Sequence, residues 1–218
     1  MSNAGLARTA YAAVTTEQRS RMRMLDLLLA RQSSGALADP PPQGIELDLI
    51  LEAGLRAPDH GRLRPWRFVL IRDGARAEFG ECLAAAIKAR DRAAPPSLLD
   101  RYRNWASRTP LLIAVGTRIR PGHPVPEIEQ LLSAGAAAMN MLNAIHLLGY
   151  AGIWVTGANA YDARVNEALG FRAPSRLVGF LAVGTSAGAP DTTTATPRPE
   201  RSAHIFEWNG PSPTTPAA

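Results

Sequence analysis

One cysteine, Cys82, and one lysine, Lys88, are all that this chain of 218 residues has of those two types. A single cysteine excludes an internal disulfide framework and any multi-cysteine zinc or iron–sulfur site. It fits a reducing compartment, so a cytoplasmic location is expected. There is no Gly-x-Gly-x-x-Gly and no Walker loop, which excludes the phosphate cradles of those kinds. His60, His123, His146 and His204 are far apart and lack the helical pairing of a metalloprotease, so no metal site is expected. Met1 to Ser20 has no apolar run of the signal-peptide kind. Charge is absent from Gln130 to Tyr161. Ser133, Asn140, Asn143 and His146 interrupt that stretch, so a buried helix is expected there and not a membrane span.

What the chain does have is arginine. It accounts for all but one of the 24 basic residues, and the net charge is +5. Arginine grips phosphates bidentately. These arginines are spread along the chain without interleaved aromatics, so no nucleic-acid surface is expected. Hydrophobic residues at 46% and charged residues at 20% describe a globular domain and exclude a wholly disordered chain.

No internal repeat is present. A first helix is expected from Glu17 to about Ala30, with Thr15 and Gln18 spaced as a capping box. Asp39-Pro-Pro-Pro breaks the chain, and a second helix spans about Ile45 to Arg56, stopping before Pro58. Trp66 to Ile71 is predicted as a strand, Ala75 to Arg92 and Ser97 to Arg108 as helices, and Leu111 to Val115 as a second strand. A long helix from Glu127 to Leu148 follows, with Gly149 as its C-cap. Gly152 to Val155, a helix capped by Asp162, and Leu177 to Val183 complete the pattern. Helices separate the strands, so a mixed α/β or α+β domain is expected.

The expected organisation is a flexible segment 1–16, one domain over 17–210 and a frayed tail 211–218. From Thr185 onward the chain holds six prolines and seven threonines in 34 residues. Ile205, Phe206 and Trp208 suggest an extended arm packed on a surface, its own or a partner's.

Gly184-Thr-Ser-Ala-Gly188 fits Gly-x-Ser-x-Gly, with Asp191 and His204 downstream. A nucleophile elbow needs a helix straight after its serine. Here Pro190 and a threonine run follow, so a glycine-rich strand exit is the expected role, and a Ser186 hydrolase is the weaker alternative.

Three segments carry chemistry. Arg31-Gln32-Ser33-Ser34 follows the first helix, and an arginine beside hydroxyls suits a phosphate monoester. Arg56-Ala-Pro-Asp-His60-Gly-Arg62-Leu-Arg64-Pro65-Trp66 turns from a helix into a strand, with donors and an aromatic suited to a planar anionic cofactor. Gly152-Ile-Trp154-Val-Thr156-Gly157 is a strand exit with an aromatic, a hydroxyl and a glycine.

Together with Ser133-Ala-Gly-Ala-Ala-Ala-Met-Asn140 and Val178-Gly-Phe-Leu-Ala-Val-Gly184, these segments resemble the FMN-dependent nitroreductase family. The Ala57-Pro-Asp-His60 form is similar to its small, minimal subgroup. The resemblance covers roughly Arg23 to Trp208. It implies an α+β homodimer with a central, mainly antiparallel sheet flanked by helices and an extended C-terminal arm. It implies two FMN molecules at the dimer interface, each touched by both subunits. Carried over, Arg31, Gln32 and Ser33 bind the phosphate and ribityl end. Arg56, His60, Pro65 and Trp66 belong to the second cofactor segment. Trp154, Val155 and Thr156 line the ring with Gly157 beside it, and Arg198 is a phosphate-binding arginine.

Three departures stand out. Arg62-Leu63-Arg64 replaces the asparagine and glutamine that many relatives have before Pro-Trp. Val155 stands where subgroup members often have arginine, and Gln32 where a second arginine is common. The implied activity is electron transfer through FMN from NADH or NADPH to a small acceptor such as a nitroaromatic or quinone. The cofactor would carry that chemistry, with no protein nucleophile or general base. A non-catalytic FMN-binding or storage protein is the alternative from another class. The long uncharged helix is either the dimer seam, through Ser133, Ala137 and Ala144, or the core of a monomer.

Overall fold

Three strands of branched and aromatic residues bracketed by turn formers set the frame. In the computed structural model, which describes residues 15–188, 199–208 and 210, they lie in one five-stranded antiparallel sheet. The elements are α1 (Thr16–Ala30), β1 (Leu37–Ala38), α2 (Gly44–Leu55), β2 (Trp66–Ile71), α3 (Ala75–Arg90) and α4 (Pro96–Arg108). They continue with β3 (Leu111–Thr117), α5 (Glu127–Leu147), β4 (Ala151–Val155), α6 (Ala163–Ala168) and β5 (Arg176–Ser186). The strand order is β1-β5-β3-β2, with β4 also paired to β5.

Strand β3 is buried at every position because helices cover both sheet faces. Its side chains alternate between them. Leu111, Ile113 and Val115 face Leu47 and Ile50 of α2 and Met141, Leu142 and Ile145 of α5. Leu112 and Ala114 face Phe79 and Leu83 of α3 and Ala106 of α4. Strand β5 is the centre of the sheet. It pairs with β3 along one side and with β4 and then β1 along the other.

Most expected elements form within a residue or two. The Thr15–Gln18 capping box closes α1. Helix α3 stops at Arg90, before the expected Arg92, because Asp91 turns extended and its carboxylate accepts from the Ala93 N–H at 2.9 Å. Strand β5 runs on to Ser186, three residues past the expected end, because Leu37 and Ala38 pair with Ser186 and Thr185.

Of the three small residues of the expected seam, two point inward and the third, Ala144, is half-buried against the core. Ser133 and Ala137 are buried inside this chain, and the Ser133 hydroxyl donates to the Pro58 carbonyl at 2.8 Å. The exposed face of α5 carries Ile128, Leu132, Met139 and Leu147.

Met1–Ala187 form one compact unit and Gly188–Ala218 a second. In the second, a short turn at Arg201–Ala203 is the regular structure among the described residues, and Ile205, Phe206 and Trp208 are exposed. Arg198, the segment 1–14 and the tail 211–218 lie outside the described residues.

Candidate active site

The three segments singled out in the sequence are gathered along α5. The first leaves α1 at its C-cap, Arg31, and is held in two places. The Ser34 N–H donates to the Gly152 carbonyl at 3.1 Å, which ties the loop to the start of β4. His146 Nε2 lies 2.9 Å from the Leu27 carbonyl in the last turn of α1. Gln32 and Ser33 are exposed, and Arg31 is half-buried. Arg31 Nη1 is buried and has no acceptor among the described residues. A buried guanidinium nitrogen without an acceptor is costly, and an anion satisfies it.

The second segment crosses the other end of α5. His60 Nδ1 lies 2.6 Å from Glu129 Oε2. Gly61, Arg62 and Arg64 all have positive φ, an unfavourable conformation for the two arginines. The Asp59 carboxylate holds the turn by accepting from the Arg64 N–H at 2.7 Å. Arg56 is exposed and turns back to Glu52 at 2.9 Å, one helical turn away. Pro65 is buried, and Trp66, only 7% exposed, packs with Ala57, Ala134 and Ala137. Those two residues support the segment from beneath and present no free aromatic face.

The third segment lies between. Trp154 of β4 packs beside Gly179, where a Cβ would fall 2.2 Å from the indole Nε1, so only glycine fits there. A Cβ on Gly135 of α5 would sit 3.8 Å from the same indole. Thr156 and Gly157 are exposed just past the strand, with φ +71° at Gly157.

The structure therefore places Arg31–Ser33, Trp154–Gly157 and His60 in sequence along one helix. Glu129, beside His60, and Ile145, whose Cγ2 a Cβ on Gly152 would meet at 3.3 Å, are sixteen positions apart. At 1.5 Å rise per residue that is about 24 Å. None of three surface cavities in this unit is lined by Arg31, Gln32 or Ser33. One, of about 770 Å³, borders Leu131, Tyr161 and Val178. A second, of about 170 Å³, borders Val155, Thr156 and Asn159.

Asp162 forms the expected helix cap, but its pairing with Arg90 and the part played by Asn159 were not anticipated. Asp162 caps α6 and pairs with Arg90, and Asn159 Oδ1 accepts from the same guanidinium at 2.6 Å. Burial works against the Asp162 carboxylate, yet the hydrogen bonds from Arg90 and the Arg164 N–H hold its pKa below the usual value. The helix-capping spacing marked Asp162 in the sequence, but nothing local marks a partner 72 positions earlier.

Solved structures with this architecture define a class. A nitroreductase-like family protein from Bacillus cereus superposes with a TM-score of 0.73 at 20% identity, over 86% of this chain and 96% of that one. A nitroreductase from Desulfovibrio desulfuricans, solved in complex with FMN, gives 0.64 at 25% identity over 86% and 98%. Among curated sequences, an Escherichia coli K12 protein named "Putative NAD(P)H nitroreductase YdjA" is 40% identical over 181 residues, 82% of this chain and 96% of that one. The sequence profile of the Nitroreductase family matches residues 28–185. This chain belongs to the Nitroreductase family.

Proposed function

We propose that this chain is an FMN-dependent oxidoreductase that passes electrons from NADH or NADPH to a small acceptor such as a nitroaromatic or a quinone, working as a cytoplasmic homodimer. The observation that carries the reading is Arg31. Its buried Nη1 lacks an acceptor, and it stands beside Gln32 and Ser33 on a loop fastened to β4. That donor set fits a phosphate monoester at the end of a ribityl chain. Arg198 is part of the same proposal.

FMN, when bound, supplies the two-electron chemistry between the nicotinamide and the acceptor. The chain's residues bind and orient. Arg31 neutralises the phosphate, Ser33 and Gln32 offer hydrogen bonds to it and to the ribityl chain, and Trp154 to Gly157 form the wall for the ring. Asp59 fixes the turn that presents His60. Among the described residues no group of three or more His, Cys, Asp or Glu is placed to hold a metal ion.

Two features support a site shared between copies. His60 and the phosphate loop sit against turns of α5 about 24 Å apart, with the ring wall at Trp154 between them, so the second copy is the natural donor of the His60 contact. In addition, α1 buries none of its residues within the chain, and Leu25, Leu132 and Met139 are exposed apolar side chains. Apolar faces of this extent mark interfaces.

The test is a purified sample. A yellow protein whose blue absorption bleaches with NADH or NADPH under anaerobic conditions, and returns with a nitroaromatic or quinone, supports the proposal. A yellow protein that neither nicotinamide reduces is a storage protein, and a colourless protein that takes up no FMN removes the flavin reading.

A further inference from the structure

We propose that Glu129 is a positioning residue for His60. It fixes the proton of the neutral imidazole on Nδ1 and leaves Nε2 as the bare nitrogen offered to the cofactor. The effect on the cofactor rests on the flavin reading, whereas the state of the ring does not.

The contact is one hydrogen bond between elements distant in sequence. His60 Nδ1 lies 2.6 Å from Glu129 Oε2. A carboxylate only accepts, so the proton between the two belongs to Nδ1. In a neutral imidazole the second nitrogen is then an acceptor. The bond that one ring nitrogen makes decides what the other can do. Nε2 has no partner among the described residues, and the ring is open to a ligand on that side. It suits an N–H or O–H of the cofactor.

Both ends of the contact are anchored. Asp59 holds the turn of His60 through the Arg64 N–H at 2.7 Å. Glu129 lies in the first turn of α5, and the next residue, Gln130, is buried. The Gln130 side chain accepts from the Arg120 N–H at 2.8 Å and donates to the Val125 carbonyl at 3.0 Å, which fixes the start of the helix. Neighbouring carboxylates are engaged elsewhere. Asp59 serves Arg64, and Glu127 pairs with Arg176 at 3.6 Å. Glu129 has no basic partner except His60 among the described residues.

The fold gains little from this pair. The side chains are 63% and 42% exposed, and pairs so open to water contribute little to stability. A ligand gains more. A ring already held in one orientation and one tautomer loses no further freedom when it binds.

The experiment uses the full chain with isotope-labelled histidine, on the alkaline side of neutrality, and reads by NMR which nitrogen of each imidazole is protonated. His60→Gln identifies the His60 signal. Nδ1–H is expected in the wild type. Glu129→Ala should shift the ring toward Nε2–H, the form that free histidine favours, and weaken FMN binding by roughly threefold to tenfold in titration of the apoprotein. Glu129→Gln still offers an oxygen to Nδ1–H and should restore most of that affinity. Both variants remove the same charge from the first turn of α5, so a role in helix stability alone would affect them equally. Circular dichroism confirms folding of both. A wild-type ring with its proton on Nε2, or a Glu129→Gln variant as weak as Glu129→Ala, overturns the proposal. A yellow, reducible protein whose FMN affinity is unchanged by Glu129→Ala removes the positioning role alone. A colourless protein that takes up no FMN, yet loses Nδ1–H in Glu129→Ala, removes the flavin reading and keeps the assignment of the ring.

Discussion

At the scale of single residues, two guanidiniums do opposite work. Arg31 has a buried nitrogen with nothing to hold. Its loss is expected to cost ligand affinity and little stability. A charge-assisted pair is worth about 1.5–3 kcal/mol, so Arg31→Ala should weaken FMN binding by about ten- to a hundredfold, and Ser33→Ala by less. Flavin titration of the apoprotein checks both, with circular dichroism for the fold. Arg90, by contrast, is fully engaged by Asp162 and Asn159. Arg90→Met strands the Asp162 carboxylate, whose side chain is 3% exposed. About 2–3 kcal/mol of stability should be lost, under the 3–5 of a fully buried pair because Arg90 itself is part-exposed. Because the folded pKa of Asp162 lies below its ordinary value of 3.8, its contribution is complete above that value and disappears as pH falls through the depressed one. Urea melts of wild type and Asp162→Asn should therefore differ most near neutral pH and converge toward pH 2. Wild-type sensitivity that persists unchanged in Asp162→Asn would place the acid-labile group elsewhere.

At the scale of elements, what the sequence showed depended on how many residues share a signal. Strand β2 was legible to the residue, since Pro65 and Asp73-Gly74 punctuate both ends. Strand β1 was not, because two residues have no periodicity and Leu37–Ala38 exist as a strand only through β5. Helix α5 was legible in extent but not in orientation. Alanine and serine fit either a seam or a core, and only packing against Ala57 and Pro58 decides for the core. The residues Ile128, Leu132, Met139 and Leu147 then form its outer face. Leu132→Asp puts a charge on that face and touches no core side chain. It should convert a dimer to a monomer by sedimentation while leaving helix content unchanged, and a Leu132→Asp dimer as tight as wild type would move the interface elsewhere. The candidate site shows the same division. Residue types at Arg31, His60 and Trp154 were readable because chemistry is local. The inward turn of Trp66 and the return of Arg56 to Glu52 were not, since both depend on which neighbour the fold brings close.

At the scale of the whole molecule, sedimentation at micromolar concentration should give about twice the chain mass of 23.3 kDa. Interfaces of obligate dimers commonly bury about 2,000 Å² or more. A clean monomer that retains FMN would end the shared-site account. Strand β5 has one further consequence. Among the described residues it is the last strand in chain order, and β1, β3 and β4 all hydrogen-bond to it. On a ribosome, β1 and β4 therefore wait for β5 to emerge before they can close on a common neighbour. Until then the nascent chain presents open strand edges, the kind of surface that chaperones bind and that aggregates nucleate on. Folding of this chain is expected to be governed by distant pairings, and any cofactor site built on the Arg31 loop and β4 comes into being only after β5 is free.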